Sequence, residues 1–127
     1  MTATNFALSM LEKSYSPYSN FAVGACIEFE DGKIVGGCNV ENSSYGLCMC
    51  AERNAIFSAI AQGFDLQKAK AIYIATKSDI LTPPCGACLQ VMVEFWKDVD
   101  IYLVNHTSKA KYKLSELIPF AFSKDNL

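Results

Sequence analysis

The chain has 127 residues, 51% of them hydrophobic, and a formal net charge of −2, which is one domain's worth of sequence with enough apolar side chains for a single sizeable core. Its basic residues are scattered, which excludes the electrostatic footprint of a nucleic-acid binder and a polybasic membrane patch. No apolar run approaches the roughly 18 residues of a transmembrane helix, and Met1 to Met10 lacks the basic region and apolar core of a signal peptide. A cytoplasmic location is therefore expected. Disulfides are rare there, so the six cysteines point first to metal or redox chemistry. The single histidine, His106, excludes any mechanism that needs two.

In chain order, Asn5 to Ser14 has helical spacing, with Phe6, Leu8 and Leu11 apolar. Ser16-Pro17-Tyr18-Ser19-Asn20 breaks it. Phe21 to Glu30 reads as a strand, Asp31-Gly32-Lys33 as a hairpin turn and Ile34 to Cys38 as the returning strand. Asn39 to Leu47 is polar, aromatic and irregular. A helix is expected from Cys50 to Gln62, stopped by Gly63. Ala69 to Thr76 reads as a buried strand, Leu81 to Pro84 as a rigid loop and Gly86 to Lys97 as a second long helix. Ile101 to Asn105 is a further strand, Lys111 to Leu114 a short fifth, and Leu117 to Phe122 a tail. This order implies an α/β domain over residues 1–127, with helices packed on a mixed sheet.

Chemistry concentrates at the starts of the two long helices, in Cys50-Ala51-Glu52-Arg53 and Pro84-Cys85-Gly86-Ala87-Cys88. Three thiolates hold a zinc ion and leave its fourth tetrahedral position open, where water can be activated near neutral pH. Helix N-termini carry partial positive charge and free N–H groups, both of which favour thiolate over thiol. Cys85 and Cys88 are three apart and face the same side of a turn. Gly86 removes a side chain where backbone must approach the metal.

Glu52 is two residues past Cys50, about 200° around an ideal helix, so the two converge only at the helix end. It shares a core-facing stripe with Ile56, Ala59 and Ile60. A carboxylate there is costly without a partner or a task. Desolvation raises its pKa, which suits a group that both takes and gives protons. Arg53, three residues after Cys50, can lie over that sulfur and offset the net charge of a zinc held by three thiolates. A lone CxxC is often structural zinc or a redox pair, and a lone Glu52 or Arg53 would be a solvated helix residue. The combination of CxE before one helix and PCxxC before the next matches the zinc site of nucleobase deaminases, with Cys50 where the first ligand is a histidine.

On these motifs the chain resembles the small, homotetrameric type of cytidine deaminase, and the likeness extends over nearly its whole length. Tyr15-Ser16-Pro17-Tyr18-Ser19-Asn20-Phe21-Ala22-Val23-Gly24-Ala25 is similar to the family's opening segment. Asn39-Val40-Glu41-Asn42-Ser43-Ser44-Tyr45 resembles its ribose-binding segment, and Ile118-Pro119-Phe120-Ala121-Phe122 its aromatic tail. The resemblance implies a three-layer α/β/α fold with a mixed five-stranded sheet and one zinc ion per subunit, held by Cys50, Cys85 and Cys88. It implies hydrolytic deamination of cytidine and deoxycytidine to uridine and deoxyuridine, part of pyrimidine salvage. Zinc hydroxide would attack C4, and Glu52 would carry protons from the water to N3 and then to the leaving ammonia. Asn39 and Glu41 would bind the ribose hydroxyl, Phe21 would stack on the base, and Ala51 and Glu52 would contact the base edge. Phe122 of a neighbouring subunit would close the pocket, and Tyr45, also in the substrate-binding set, would reach across a subunit interface. Arg53 would tune the zinc from behind its sulfur ligands.

The residues themselves lend these roles partial support. Asn39 and Glu41 alternate along an extended segment and so point the same way. An apolar tail carrying Phe120 and Phe122 calls for burial somewhere, another subunit being one possibility. Two positions depart from the family pattern: Leu89 stands where arginine is usual after the last cysteine, and Pro83 where serine is usual. Leu89 joins Met92 and Trp96 on a helical stripe, so packing explains it, and Arg53 then carries more of the charge balance. Cys26 and Cys38 are expected in the core, Cys48 has the wrong spacing to Glu52 for a ligand, and His106 is expected at the surface. The alternatives left standing are a related deaminase acting on a modified nucleoside, a free base or a polynucleotide, a non-catalytic zinc-stabilised module, and a thiol redox protein using Cys85 and Cys88. The Asn39/Glu41 pair favours a nucleoside, and the acidic balance disfavours a polynucleotide.

Overall fold

The computed structural model describes residues 1–127. Its elements are α1 (Ala3–Ser9), continued by a 3-10 turn Met10–Lys13, then β1 (Val23–Phe29), β2 (Ile34–Cys38), a 3-10 turn Tyr45–Leu47 and α2 (Ala51–Ala61). There follow a 3-10 turn Leu66–Lys68, β3 (Ala69–Thr76), α3 (Gly86–Phe95), β4 (Asp100–Val104), β5 (Lys109–Lys113), α4 (Leu114–Leu117) and a 3-10 turn Lys124–Asn126. The sheet order is β2-β1-β3-β4-β5. Only β3 and β4 run parallel; the other neighbours are antiparallel. The expected mixed five-stranded sheet is therefore present, and the crossover α3 joins its one parallel pair.

Strand alternation divides the core into two layers. Ala25, Ile27, Ile72, Ile74, Ile101 and Leu103 face α2 and α3, in a cluster with Ile56, Met92 and Trp96. Cys26, Ala71, Tyr73, Ala75 and Val104, at the intervening positions, face Ala3, Ala7 and Leu11 of the N-terminal helix. This period of two is what a sheet covered on both faces requires. The expected α/β/α layering follows directly from it.

β2 and β3 have the expected bounds, and α2 ends at its expected stop, with Gly63 at φ 85°. Other boundaries differ. The first helix starts at Ala3 rather than Asn5, because the Thr2 side chain caps it by accepting from the Asn5 amide at 3.1 Å. β1 begins at Val23, leaving Phe21 in the preceding loop. The fourth strand is Asp100–Val104, shifted one residue back, and the fifth is Lys109–Lys113, with Leu114 starting a helix instead. α3 stops at Phe95 because Trp96 turns extended, its indole N–H donating to the Leu66 carbonyl at 2.7 Å.

Candidate active site

Two helix N-termini meet at the C-terminal end of β3. Cys50 is the N-cap residue of α2, and Cys85 the N-cap residue of α3, with Cys88 in the first turn. α2 is seated closely on β2: a Cβ at Gly37 would come within 2.6 Å of the Ala51 carbonyl oxygen and 2.5 Å of the Ala55 nitrogen. That contact fixes the height of Cys50 and Glu52 above the sheet. The ligand atoms of Cys50, Cys85 and Cys88 all lie within 4.8 Å of one another. Cys50 is half-buried, Cys85 exposed and Cys88 buried. A cavity of about 290 Å³ opens beside them, lined among others by Phe21, Asn39, Glu41, Cys50, Glu52, Pro83 and Cys85. A larger groove of about 720 Å³, between α3 and the C-terminal tail, contains no cysteine and no buried acid.

The electrostatics of the cluster suit a cation. The Cys50 thiol is pulled down to about 5, chiefly because the Cys88 thiol and the Arg53 guanidinium both donate to its sulfur. The Cys88 thiol is correspondingly pushed up beside that thiolate, and a divalent cation binding there releases its proton. Soft thiolates in threefold array with one open side fit zinc, in the pattern of a catalytic rather than a structural site. Glu52, 5% exposed, is pushed up to about 7, first by burial and also by the neighbouring Cys50 thiolate. Such a carboxyl can hold or release a proton near neutral pH.

Asn39 and Glu41 do share the cavity, as their alternation implied, and both are tied into the fold. Asn39 Oδ1 accepts from Ser14 Oγ at 2.5 Å and the Val23 amide at 2.9 Å, and its Nδ2 donates to the Phe21 carbonyl at 2.8 Å. Glu41 accepts from the Tyr18 and Ser19 amides and the Ser19 hydroxyl. Phe21 is 41% exposed at the cavity's edge. Arg53 Nη2 donates to Cys50 Sγ at 3.4 Å, as its spacing predicted.

The other residues named from the sequence are placed as follows on the single chain. Ala51 is fully buried, and its side chain does not line the cavity. Tyr45, 73% exposed, packs edge-on against Tyr18 outside the cavity. Phe122 is 61% exposed, with its carbonyl accepting from Gln90, and is likewise absent from its own chain's cavity. Ile60 is not on the Glu52 stripe but 45% exposed, since eight residues rotate it about 80° away from Glu52; Ala55 takes the buried place. A Cβ at Gly86 would meet no protein atom within 4 Å, so protein packing does not require glycine there. Cys38 is half-buried rather than in the core, its thiol donating to the Lys13 carbonyl, whereas Cys26 is fully buried and pushed up to about 12 by burial. Cys48 stands outside the thiol cluster and accepts from the Asn42 amide. Leu89, Met92 and Trp96 form the buried stripe expected of them, and His106 is exposed. Ser14 and Ser19 hold Asn39 and Glu41, and neither carries a site signal in sequence: Ser14 reads as the end of the first helix and Ser19 as part of a turn.

The layered sheet, the three-thiol centre and the buried acid define a small α/β metalloprotein with an open metal position. The family model of the cytidine and deoxycytidylate deaminase zinc-binding region matches residues 2–104. A crystal structure of cytidine deaminase from Burkholderia pseudomallei superposes with a TM-score of 0.90 at 44% identity, over 94% of this chain and 96% of that one. Cytidine deaminase of Sporosarcina psychrophila is 43% identical over 118 residues, 91% of this chain and 85% of the relative. That of Halalkalibacterium halodurans is 42% identical over 123 residues, 95% and 92% of the two. The chain belongs to the cytidine and deoxycytidylate deaminase family. No helix is long and apolar enough to cross a membrane.

Proposed function

We propose that this chain hydrolyses the exocyclic amine of cytidine and deoxycytidine, giving uridine or deoxyuridine and ammonia. The observation that carries the reading is one cavity lined by Cys50 and Cys85 of the three-thiol cluster together with the buried carboxyl of Glu52. Cys50, Cys85 and Cys88 hold the zinc. When bound, it supplies the Lewis acidity that makes water a nucleophile at neutral pH. Glu52 takes the proton that water gives up and passes it to N3 of the base, then takes the proton of the new C4 hydroxyl as the carbonyl forms and gives it to the departing amine. Arg53 stays cationic and keeps the Cys50 sulfur ionised.

Phe21 offers its ring face to the base at the cavity edge, and Asn39 and Glu41 take a sugar hydroxyl, which selects nucleosides over free bases. The scattered charge of the surface supports a small-molecule substrate rather than nucleic acid. The assembly is a homotetramer in which Tyr45 and Phe122 enter neighbouring sites. Supporting this, Tyr45, Leu47, Phe57, Ile60, Phe120 and Phe122 leave large apolar surfaces exposed on the single chain. Three reduced thiols support a cytoplasmic location. Metal analysis together with an ultraviolet assay of cytidine conversion tests the reading. A zinc-loaded protein that releases ammonia from cytidine upholds it; one without turnover makes the chain a zinc-stabilised module.

A further inference from the structure

The two polar residues proposed for the sugar each keep one free valence. A carboxylate accepts about four hydrogen bonds. Glu41 Oε1 takes the Tyr18 amide at 3.0 Å and the Ser19 amide at 3.1 Å, and Oε2 takes the Ser19 hydroxyl. The remaining acceptor place is on Oε2. Asn39 is filled in the complementary way. Its oxygen holds both Ser14 and the Val23 amide, and one of its two N–H groups is donated to Phe21. The Val23 N–H can face only an oxygen, so the amide cannot be flipped. One donor is left on Asn39 and one acceptor on Glu41, which is what a single alcohol group requires.

Ser19 sits at the junction of this arrangement. Its hydroxyl donates to Glu41 and accepts from the Phe21 amide at 3.0 Å. Asn20, left-handed at φ 56°, makes the turn that brings the Phe21 amide back to it. The same bonds hold the Glu41 carboxyl below the usual carboxylate range, Ser19's hydroxyl most of all, so it remains an acceptor.

We infer that Ser19 is a positioning residue for sugar recognition, its hydroxyl, itself oriented by the Phe21 amide, holding the Glu41 carboxylate so that the cavity accepts a single sugar hydroxyl in one donor–acceptor sense. The inference rests on the reading of Glu41 as a sugar contact. It acts on binding and leaves the proton transfers of Glu52 alone, so its signature is in KM rather than kcat.

The test is steady-state kinetics of the zinc-loaded protein and its S19A, S19T, E41Q and S19A/E41Q variants on cytidine and 2′,3′-dideoxycytidine, with melting temperature and zinc content followed in each. Ser19 is exposed, so S19A is expected to stay folded. The expected result for S19A on cytidine is a KM raised about tenfold, the scale of one lost positioned hydrogen bond, with kcat within about twofold. S19T restores KM, S19A adds nothing to E41Q, and S19A matches the unmodified protein on the dideoxy substrate. An unchanged KM in S19A, an equal loss on both substrates, or full additivity with E41Q overturns the role of Ser19. If E41Q itself leaves KM unchanged, the sugar-contact reading fails and the inference with it; if E41Q raises KM and S19A does not, only the inference fails.

Discussion

Arg53 Nη2 donates to Cys50 Sγ at 3.4 Å from one turn further along the same helix. It is the cation the cluster has, since Leu89, next to Cys88, is a buried apolar residue. Arg53 Nε is buried without a partner, so the guanidinium is held in place by the sulfur contact rather than by a competing acid. Three thiolates around a divalent zinc leave one net negative charge, which this guanidinium offsets. Arg53→Ala is therefore expected to weaken zinc binding roughly 10–100-fold, the range seen when such supporting groups are removed. Chelator competition measures it. Wild-type affinity in the variant would show that the guanidinium does not support the metal.

Glu52 has a pH signature in stability. Its folded-state pKa is raised from 4.5 to about 7, mainly by burial. Between those values the folded protein binds more protons than the unfolded chain, so its contribution to stability falls as pH rises through the window and is lowest above it. Glu52→Gln removes the titration. In the zinc-free protein the variant should be more stable than wild type by about 3 kcal/mol above pH 7, with the gain vanishing towards pH 4.5. Urea unfolding at the two ends of the window checks this. A pH-independent difference would mean that the carboxyl is not desolvated.

Gly37 sets the seat of the catalytic helix. A methyl group there would lie 2.5 Å from the Ala55 nitrogen and 2.6 Å from the Ala51 carbonyl, both backbone atoms that cannot swing aside. Gly37→Ala is expected to destabilise the fold by about 2–3 kcal/mol, at the upper end of ordinary overpacking. Activity should fall further than stability alone explains, because the displaced helix carries Cys50 and Glu52. Paired urea midpoints and turnover rates at low temperature measure both effects. A fully stable Gly37→Ala protein would contradict the seating.

The parts legible in sequence are those with a local physical signature. The Asp31-Gly32-Lys33 turn and the Ile-rich run before Thr76 marked β2 and β3 to the residue. The zinc cysteines were legible because ligand spacing and helix starts coincide. β5 was not fully legible. Lys109, Lys111 and Lys113 make it a charged edge strand whose apolar alternation is only Ala110 and Tyr112. Its reason for being extended is elsewhere, in Asp100, which Lys111 and Lys113 approach to 3.5 and 3.1 Å, and in the Tyr73–Tyr102 stack under Lys109. The end of α3 depended on a partner, the Leu66 carbonyl, 30 residues away from Trp96. Ser14 and Ser19 are illegible for the same reason: a serine hydroxyl has many conceivable partners, and only the folded chain shows that theirs are Asn39 and Glu41.

The most direct test is the rate of cytidine deamination by zinc-loaded Glu52→Ala protein beside the zinc-loaded wild type. If Glu52 moves the protons at a metal held by Cys50, Cys85 and Cys88, the variant keeps its zinc and its rate falls by at least about 10²–10⁴-fold, the usual worth of a general acid–base group. A zinc-loaded variant that deaminates cytidine at the wild-type rate would contradict the assignment.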